Sequence, residues 1–339
     1  MPYFAYFLVH PWTRKLSIFM HTIFGHNKVL FFHDPSDPHS HLALEKAKKI
    51  KDIQIMEVSP PVLPQWMMDY KIKDALILSQ VYDINFQPDK LHPGASTGNK
   101  LLHKLGHYQG AMFYYKGQWF SGLDRINFLL KQLSIEPLSP QWHKISKVPG
   151  KTLQFFFSFR SPYSFLAIYE VEKLIKELKI DIEFKPLLPM AMRGFKIPKS
   201  KKMYIFKDAA RIAHHRNIPF GKVCDPLGEG VINVLKLFSL AKDKNQELSF
   251  CKIMFEAIWA KGQDVTKIST LTHILSALSW KQEEIKSALE QEIPESLKEN
   301  KEQLKSYGLW GVPSFKWGEF STWGQDRIPL LREVIKASS

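Results

Sequence analysis

Cysteine is almost missing from this 339-residue chain: there are two, Cys224 and Cys251, in different contexts and never as Cys-x-x-Cys. That scarcity excludes a disulfide-built scaffold, a zinc ribbon and dithiol exchange, each of which needs paired sulfurs. Long apolar runs are missing too. In the amino-terminal MPYFAYFLVHPWTRKLSIFMHTIF, Pro11, Arg14 and Lys15 break the apolar character short of the roughly 20 residues a membrane span needs. No small-residue cleavage pattern accompanies it. The expectation is an amphipathic helix docked on the protein, no transmembrane segment and a cytoplasmic location. Nor is there a long basic block. The net charge is +14, but Lys and Arg are interleaved with acids, as in KLIKELKID at 173–181. Such a pattern is a solvated surface, and no nucleic-acid partner is expected.

What is present suits an ordinary two-domain chain, because 339 residues exceed one small domain and each half can bury a core. Between Ser134 and Gly150 the run SIEPLSPQWHKISKVPG has three prolines, a glycine and little periodicity, the signature of a connection. The expected division is a domain over 1–140, a linker over 141–151 and a second domain over 152–339. In the second, TLQFFFSF at 152–159 reads as a strand. RSPYSFLAIYEVEKLIKEL follows with apolar residues at helical spacing. Ser161 stands where an N-cap belongs and Pro162 at the first helical position. DIEFKPLLP at 181–189 reads as a second strand. Four helix candidates follow, over 201–216, 232–243, 247–262 and 268–280. GVPSFKWGEFSTWG at 311–324 reads as a hairpin and DRIPLLREVIKA as the last helix. The order βαβ, a helical insertion at about 190–305, then ββα predicts an α/β protein of thioredoxin fold.

The first half repeats this order in shorter form: KVLFFHD at 28–34, the turn and helix DPSDPHSHLALEKAKKI, then DIQIMEV at 52–58. LGHYQGAMFYYKGQWFSGLDRINFLL at 105–130 parallels YGLWGVPSFKWGEFSTWGQDRIPLL at 307–331. Gly110 pairs with Gly311, Gly117 with Gly318, Gly122 with Gly324 and Asp124-Arg125 with Asp326-Arg327, given one inserted residue between the second and third glycine pairs. Two related thioredoxin-like units follow from this. Met112 replaces Pro313 in the first, which reads as a degenerate copy. It would stand in for a homodimer partner, giving a monomer with an internal pseudo-dimer.

The chemistry centres on Ser161 and Pro313. A helix N-terminus presents free N–H groups and about half a positive charge. Thioredoxin-like proteins set a cysteine thiolate there. Serine does no redox chemistry, but its hydroxyl can donate to a sulfur anion brought by a cofactor. Lowering a thiol from about 8.5 by two pKa units takes about 2.7 kcal/mol, within reach of one charge-assisted hydrogen bond plus the helix end. A cis bond at Val312-Pro313 would turn the Val312 N–H and C=O outward to pair with a peptide thiol as an added strand. Asp326, with Gln325 beside it, would meet the ammonium of a γ-glutamyl group. His33, His39 and His41 with Asp34 and Asp37 suggest a metal at first sight. Their turn reads better as the first-unit counterpart of RSPYS, so no metal is expected. Asp208 and Arg211, one turn apart, read most simply as a helix-surface ion pair, with a place lining the substrate cleft as the alternative. Tyr163 reads as packed at the cleft wall, and Cys224 as inert.

FFFSFRSPYSFLA at 155–167, Lys201 with Tyr204, YIFKDAARIAHHRNIPF at 204–220, FEAIWAKGQDV at 255–265 and GLWGVPSFKWGEFSTWGQDR at 308–327 together resemble the 2-hydroxychromene-2-carboxylate isomerase and kappa-class glutathione transferase family of the DsbA superfamily. The resemblance implies glutathione as cofactor and Ser161 as the catalytic residue on its sulfur. Val312 and Pro313 would hold its backbone, Gln325 and Asp326 its γ-glutamyl end, and Lys201 would approach glutathione or substrate. The implied partner is a small-molecule electrophile. In the isomerases the thiolate adds to a conjugated enone, a bond rotates and glutathione is eliminated; kappa-class enzymes keep the thioether. Three features depart from the family: Ser158 where an acid is common, Arg160 where a small or apolar residue is, and no clear counterpart in MRGFKIPKS for a kappa-class asparagine. The alternative is a non-catalytic binding or scaffold protein.

Overall fold

Adjacent residues of a strand point to opposite faces, so a strand with consecutive buried phenylalanines must be covered on both sides. Both halves of the chain are built this way. The computed structural model describes residues 10, 13, 28–146 and 148–336. The amino-terminal amphipathic helix expected above lies outside the described residues. Two compact units are present among the described residues: 28–146 joined by 199–204, and 148–198 with 205–336.

In the first unit, β1 (Leu30–His33), α1 (Pro38–Ala47), β2 (Gln54–Glu57), α2 (Gln65–Tyr82), α3 (Asn99–Lys104), β3 (Met112–Tyr115), β4 (Gln118–Ser121) and α4 (Gly122–Gln132) follow one another. The sheet order is β2-β1-β3-β4, with β1 parallel to β2 and antiparallel to β3. Phe31 packs with Ala43 and Ala47 of α1 and Ile126 and Leu129 of α4. Phe32, on the other face, packs with Val58 and with Leu102 of α3. Helix α2 has no counterpart in the sequence reading. Its buried positions include Asp74, Ala75 and Ser79, small or polar residues that blur the apolar period.

The second unit contains β5 (Thr152–Phe157), α5 (Pro162–Leu178), β6 (Asp181–Pro186), α6 (Lys199–His215) from residue 205 on, α7 (Glu229–Asp243), α8 (Glu247–Trp259), α9 (Ile268–Leu275), α10 (Gln282–Glu290), α11 (Ser296–Ser306), β7 (Ser314–Trp317), β8 (Phe320–Trp323) and α12 (Ile328–Ile335). Its sheet order, β6-β5-β7-β8, has the same strand senses as the first. Phe155, Phe156 and Phe157 are wholly buried. Phe157 meets Phe238 of α7 and Phe255 of α8 at ring distances of 5.8 and 6.0 Å, which seats the inserted helices on the sheet. The insertion carries α10 and α11 in addition to the four helices expected. Ile285 is the one buried residue of α10, so neither the period nor the apolar content marks it.

The strand registers correct one pairing made from the sequence. Phe32 faces Met112, which faces Ser121; Phe156 faces Ser314, which faces Trp323. The Gly122 N–H donates to the Ala111 carbonyl at 2.7 Å, and the Gly324 N–H to the Pro313 carbonyl at 2.8 Å. Ala111, and not Met112, therefore occupies the place of Pro313. The glycines misled because a tight hairpin turn needs positive φ and accepts Gly at either central position. The first turn is Lys116-Gly117, with both φ positive, and the second Gly318-Glu319. The inserted residue belongs before β3, not after the turn.

Candidate functional site

Strand β5 delivers the chain into a turn in which the Ser161 N–H donates to the Ser158 carbonyl at 2.9 Å. Ser161 is the N-cap of α5: its backbone is extended and its Oγ accepts from the Ser164 N–H at 3.1 Å, with Pro162 in the first turn. Pairing of β5 with β7 brings up a segment more than 150 positions later, and the Val312-Pro313 peptide is cis. The Ser161 hydroxyl is 3.5 Å from the Val312 carbonyl oxygen. That separation is long for O–H···O, whose usual range ends near 3.0 Å, so the hydroxyl proton remains free to serve a better acceptor. Among the described residues no protein group accepts from the Val312 N–H.

The Pro313 carbonyl is tied to Gly324, and the 3-10 turn Gln325–Arg327 begins at the next residue. Gln325 is buried, its Nε2 donates to Asp326 Oδ1, and its Oε1 has no partner. Ser161, Val312 and Pro313 thus meet at one end of the sheet, with Gln325 and Asp326 joined to them through Gly324. Gly311 is packed so closely under Trp323 that a Cβ would lie 2.5 Å from the indole nitrogen. Lys201 lies in the segment 199–204 that clusters with the first unit. Burial draws its ammonium pKa down.

Asp208 and Arg211 are not on the helix surface. Both are buried; Asp208 Oδ1 accepts from Arg211 Nη1 at 3.1 Å and Oδ2 from the Tyr163 hydroxyl at 2.8 Å. Acid–base spacing is the same for buried and exposed pairs. The available signal was the run Ala209, Ala210, Ile212, Ala213 around them, all buried. Sequence reasoning also missed Asp225, which takes Arg160 in two hydrogen bonds of 2.7 Å. Beside it, burial and then Asp264 push the Cys224 thiol up, away from the reactive thiolate.

The first-unit counterpart of this turn is filled by its own side chains. Asp37 is the N-cap of α1 and accepts from the His39 N–H at 2.9 Å. Lys71 reaches Asp37 at 2.7 Å and Asp74 reaches His39 at 2.8 Å. His33 meets Ser40 and His41 meets the Pro35 carbonyl; among the described residues no group is arranged to hold a metal ion. Burial, then the neighbouring His41, lowers the His33 pKa to about 4. The unfolded chain therefore binds a proton below about pH 6.5 that the folded unit refuses until about pH 4. Stability from neutral His33 is complete above pH 6.5 and is lost as pH falls towards 4. We expect His33→Gln to remove about 1–2 kcal/mol of this acid loss, allowing for solvent screening. Urea unfolding of both proteins at neutral and acid pH checks it; equal losses in the two would refute it.

No helix among the described residues is long and apolar enough to cross a membrane. No curated protein matches the chain. Among solved structures, that of a 2-hydroxychromene-2-carboxylate isomerase is 23% identical over 53% of this chain and 92% of its own, with a TM-score of 0.47. A probable DsbA oxidoreductase from Streptomyces coelicolor is 12% identical over 53% and 87%, with a TM-score of 0.42. The cytosolic disulfide reductase DsbM from Pseudomonas aeruginosa, with GSH, is 12% identical over 50% and 88%, with a TM-score of 0.38. A family model, the DSBA-like thioredoxin domain, matches residues 152–336. Those residues make up more than half the chain and take in both sheet strands and helical insertion of the second unit, and the protein belongs to the DSBA-like thioredoxin domain family.

Proposed function

We propose that the second unit is a glutathione-dependent isomerase of the 2-hydroxychromene-2-carboxylate isomerase type or a kappa-like transferase, acting on an electrophilic small molecule. The observation that carries this reading is the Ser161 hydroxyl. It sits at the N-terminus of α5, where a redox member of the fold would place cysteine, with its proton held only by the long contact to Val312. The remaining groups fit the cofactor. Gln325 Oε1 is buried without a donor and would accept from an ammonium, whose charge Asp326 would neutralise. A peptide lying beside Val312 finds an N–H donor and a C=O acceptor, the pairing of an added strand.

Glutathione supplies the nucleophilic thiolate for this chemistry. The protein's part is to hold the sulfur where the Ser161 hydroxyl donates to it and the α5 terminus favours its charge. Ser161 neither accepts nor loses a covalent bond. Disulfide exchange does not fit the chain, because its two cysteines stand at 224 and 251 and Cys251 is fully buried. A reduced thiol cofactor suits a reducing compartment, for which the cytoplasm is our assignment.

Calorimetric titration with reduced glutathione tests the reading. We expect saturable binding below millimolar concentration, weakened about 10-fold or more by Asp326→Ala, which removes a charge-assisted contact. No heat up to millimolar glutathione would leave the non-catalytic scaffold in its place.

A further inference from the structure

Arg193 is in the second unit, in the 3-10 turn Met190–Arg193 after β6. Arg160, Arg211 and Arg332 of the same unit each carry a carboxylate, from Asp225, Asp208 and Glu177. Arg193 has none among the described residues. Its Nη2 donates to the Trp310 carbonyl at 3.4 Å, its guanidinium lies 5.7 Å from the centre of the Phe195 ring, and its Nε is buried without a partner. Burial draws its pKa below the ordinary arginine value. A half-buried guanidinium with an idle N–H and no counter-charge is unfavourable in the free protein, unless an anion completes it.

The direction of a bound peptide says which anion. Gln325 and Asp326 follow Gly324, and Gly324 is bonded to Pro313; a γ-glutamyl end held there lies on the Pro313 side of Val312. The peptide then runs opposite to residues 311–313. In antiparallel pairing the residue after the central one faces the residue before its partner, so the carboxyl end points towards Gly311 and Trp310. One residue of strand advances about 3.4 Å, which carries the last carboxylate to the Trp310 carbonyl, where Arg193 is anchored.

We propose that Arg193 binds the glycyl carboxylate of glutathione. This rests on the glutathione reading above and adds the group that distinguishes the tripeptide from its shorter precursor.

The test compares three thiols by calorimetry: glutathione, its glycyl ethyl ester and γ-glutamylcysteine. Wild type is expected to bind glutathione about 10- to 100-fold more tightly than the other two, the span of one charge-assisted contact. Arg193→Gln should bind all three alike, at the level of wild type with the ester, and Arg193→Lys should fall between. Circular dichroism melting of each variant confirms that it is folded; should Arg193→Gln fail to fold, the ester penalty in wild type and its reduction in Arg193→Lys decide. An ester that binds wild type as tightly as glutathione overturns the Arg193 assignment while leaving the glutathione reading intact. So does a variant that weakens ester and acid equally. Loss of turnover by Arg193→Gln confined to carboxylate-bearing electrophiles, with glutathione binding unchanged, also overturns it, by giving Arg193 to the second substrate. Binding of none of the three thiols removes both readings together.

Discussion

Ser161→Ala is expected to return enzyme-bound glutathione from a thiolate to a thiol at neutral pH. Hydroxyl and helix end together, lowering the thiol by about two pKa units, leave the sulfur mostly ionised at pH 7; an unassisted thiol is only a few per cent ionised, and alanine takes away the hydroxyl's part of the shift. Turnover at pH 7 should fall by up to about 25-fold, the ratio of the two ionised fractions, if the thiolate is the attacking group, and rise again with pH as the bare thiol ionises. Affinity for glutathione at pH 7 should fall by no more than about 4-fold, the part linked to the lost ionisation, since Val312, Gln325 and Asp326 are untouched. Thiolate ultraviolet absorbance followed against pH reads the shift directly. Because Ser161 also caps α5 through the Ser164 N–H, alanine costs about 0.5–2 kcal/mol of stability as well. Ser161→Asp separates the two roles. It keeps a cap of the kind Asp37 makes in the first unit, but sets a negative charge against the sulfur. A stable Ser161→Asp protein with no thiolate supports the sulfur contact. An unshifted thiolate in Ser161→Ala would end it.

The features of the site that were legible in the sequence are local ones. Ser161 before Pro162 and an apolar period specify a helix start from a few consecutive residues, and the strand before it is announced by three phenylalanines. The Val312-Pro313 dipeptide suggested a cis bond, and the bond is cis. What remained hidden depends on partners distant in sequence. The contact from Arg193 to Trp310 spans more than a hundred residues, and nothing in MRGFKIPKS marks its arginine as lacking an acid. The register of β3 is fixed by pairing with β1 and β4, so the glycine in its turn could not locate Ala111 opposite Pro313. Helix α10 buries one side chain, and α2 sets Asp74, Ala75 and Ser79 among the larger residues it buries, so the apolar period is thin in the one and broken in the other. Residues that pack against their neighbours in the chain are visible early. Those that complete a site across the fold need the fold.

Asp208→Ala should be among the most damaging substitutions in the second unit, even though the residue is outside the proposed glutathione contacts. Its carboxylate is 1% exposed and takes the Tyr163 hydroxyl on one oxygen and Arg211 on the other. Deleting one member of a buried ion pair typically costs about 3–5 kcal/mol, because the remaining charge stays in a dry place without its counter-charge. For a unit of this size the melting temperature would drop by about 10 °C. Asp208→Asn keeps an acceptor for Arg211 but loses the charge, and its amide can meet Tyr163 only by donating to the phenol oxygen, so it should fall between Asp208→Ala and wild type. Tyr163→Phe removes one hydrogen bond to a charged group, about 1.5–3 kcal/mol. The ordering discriminates, since a surface pair would give about 0–1 kcal/mol for either aspartate variant and little difference between them. The link also has a mechanical consequence. Tyr163 is in the first turn of α5, two residues after Ser161, so Asp208 fixes that turn against α6. Tyr163→Phe should therefore leave glutathione affinity near wild type and lower turnover, and equal melting of all three variants with wild type would return Asp208 and Arg211 to the helix surface.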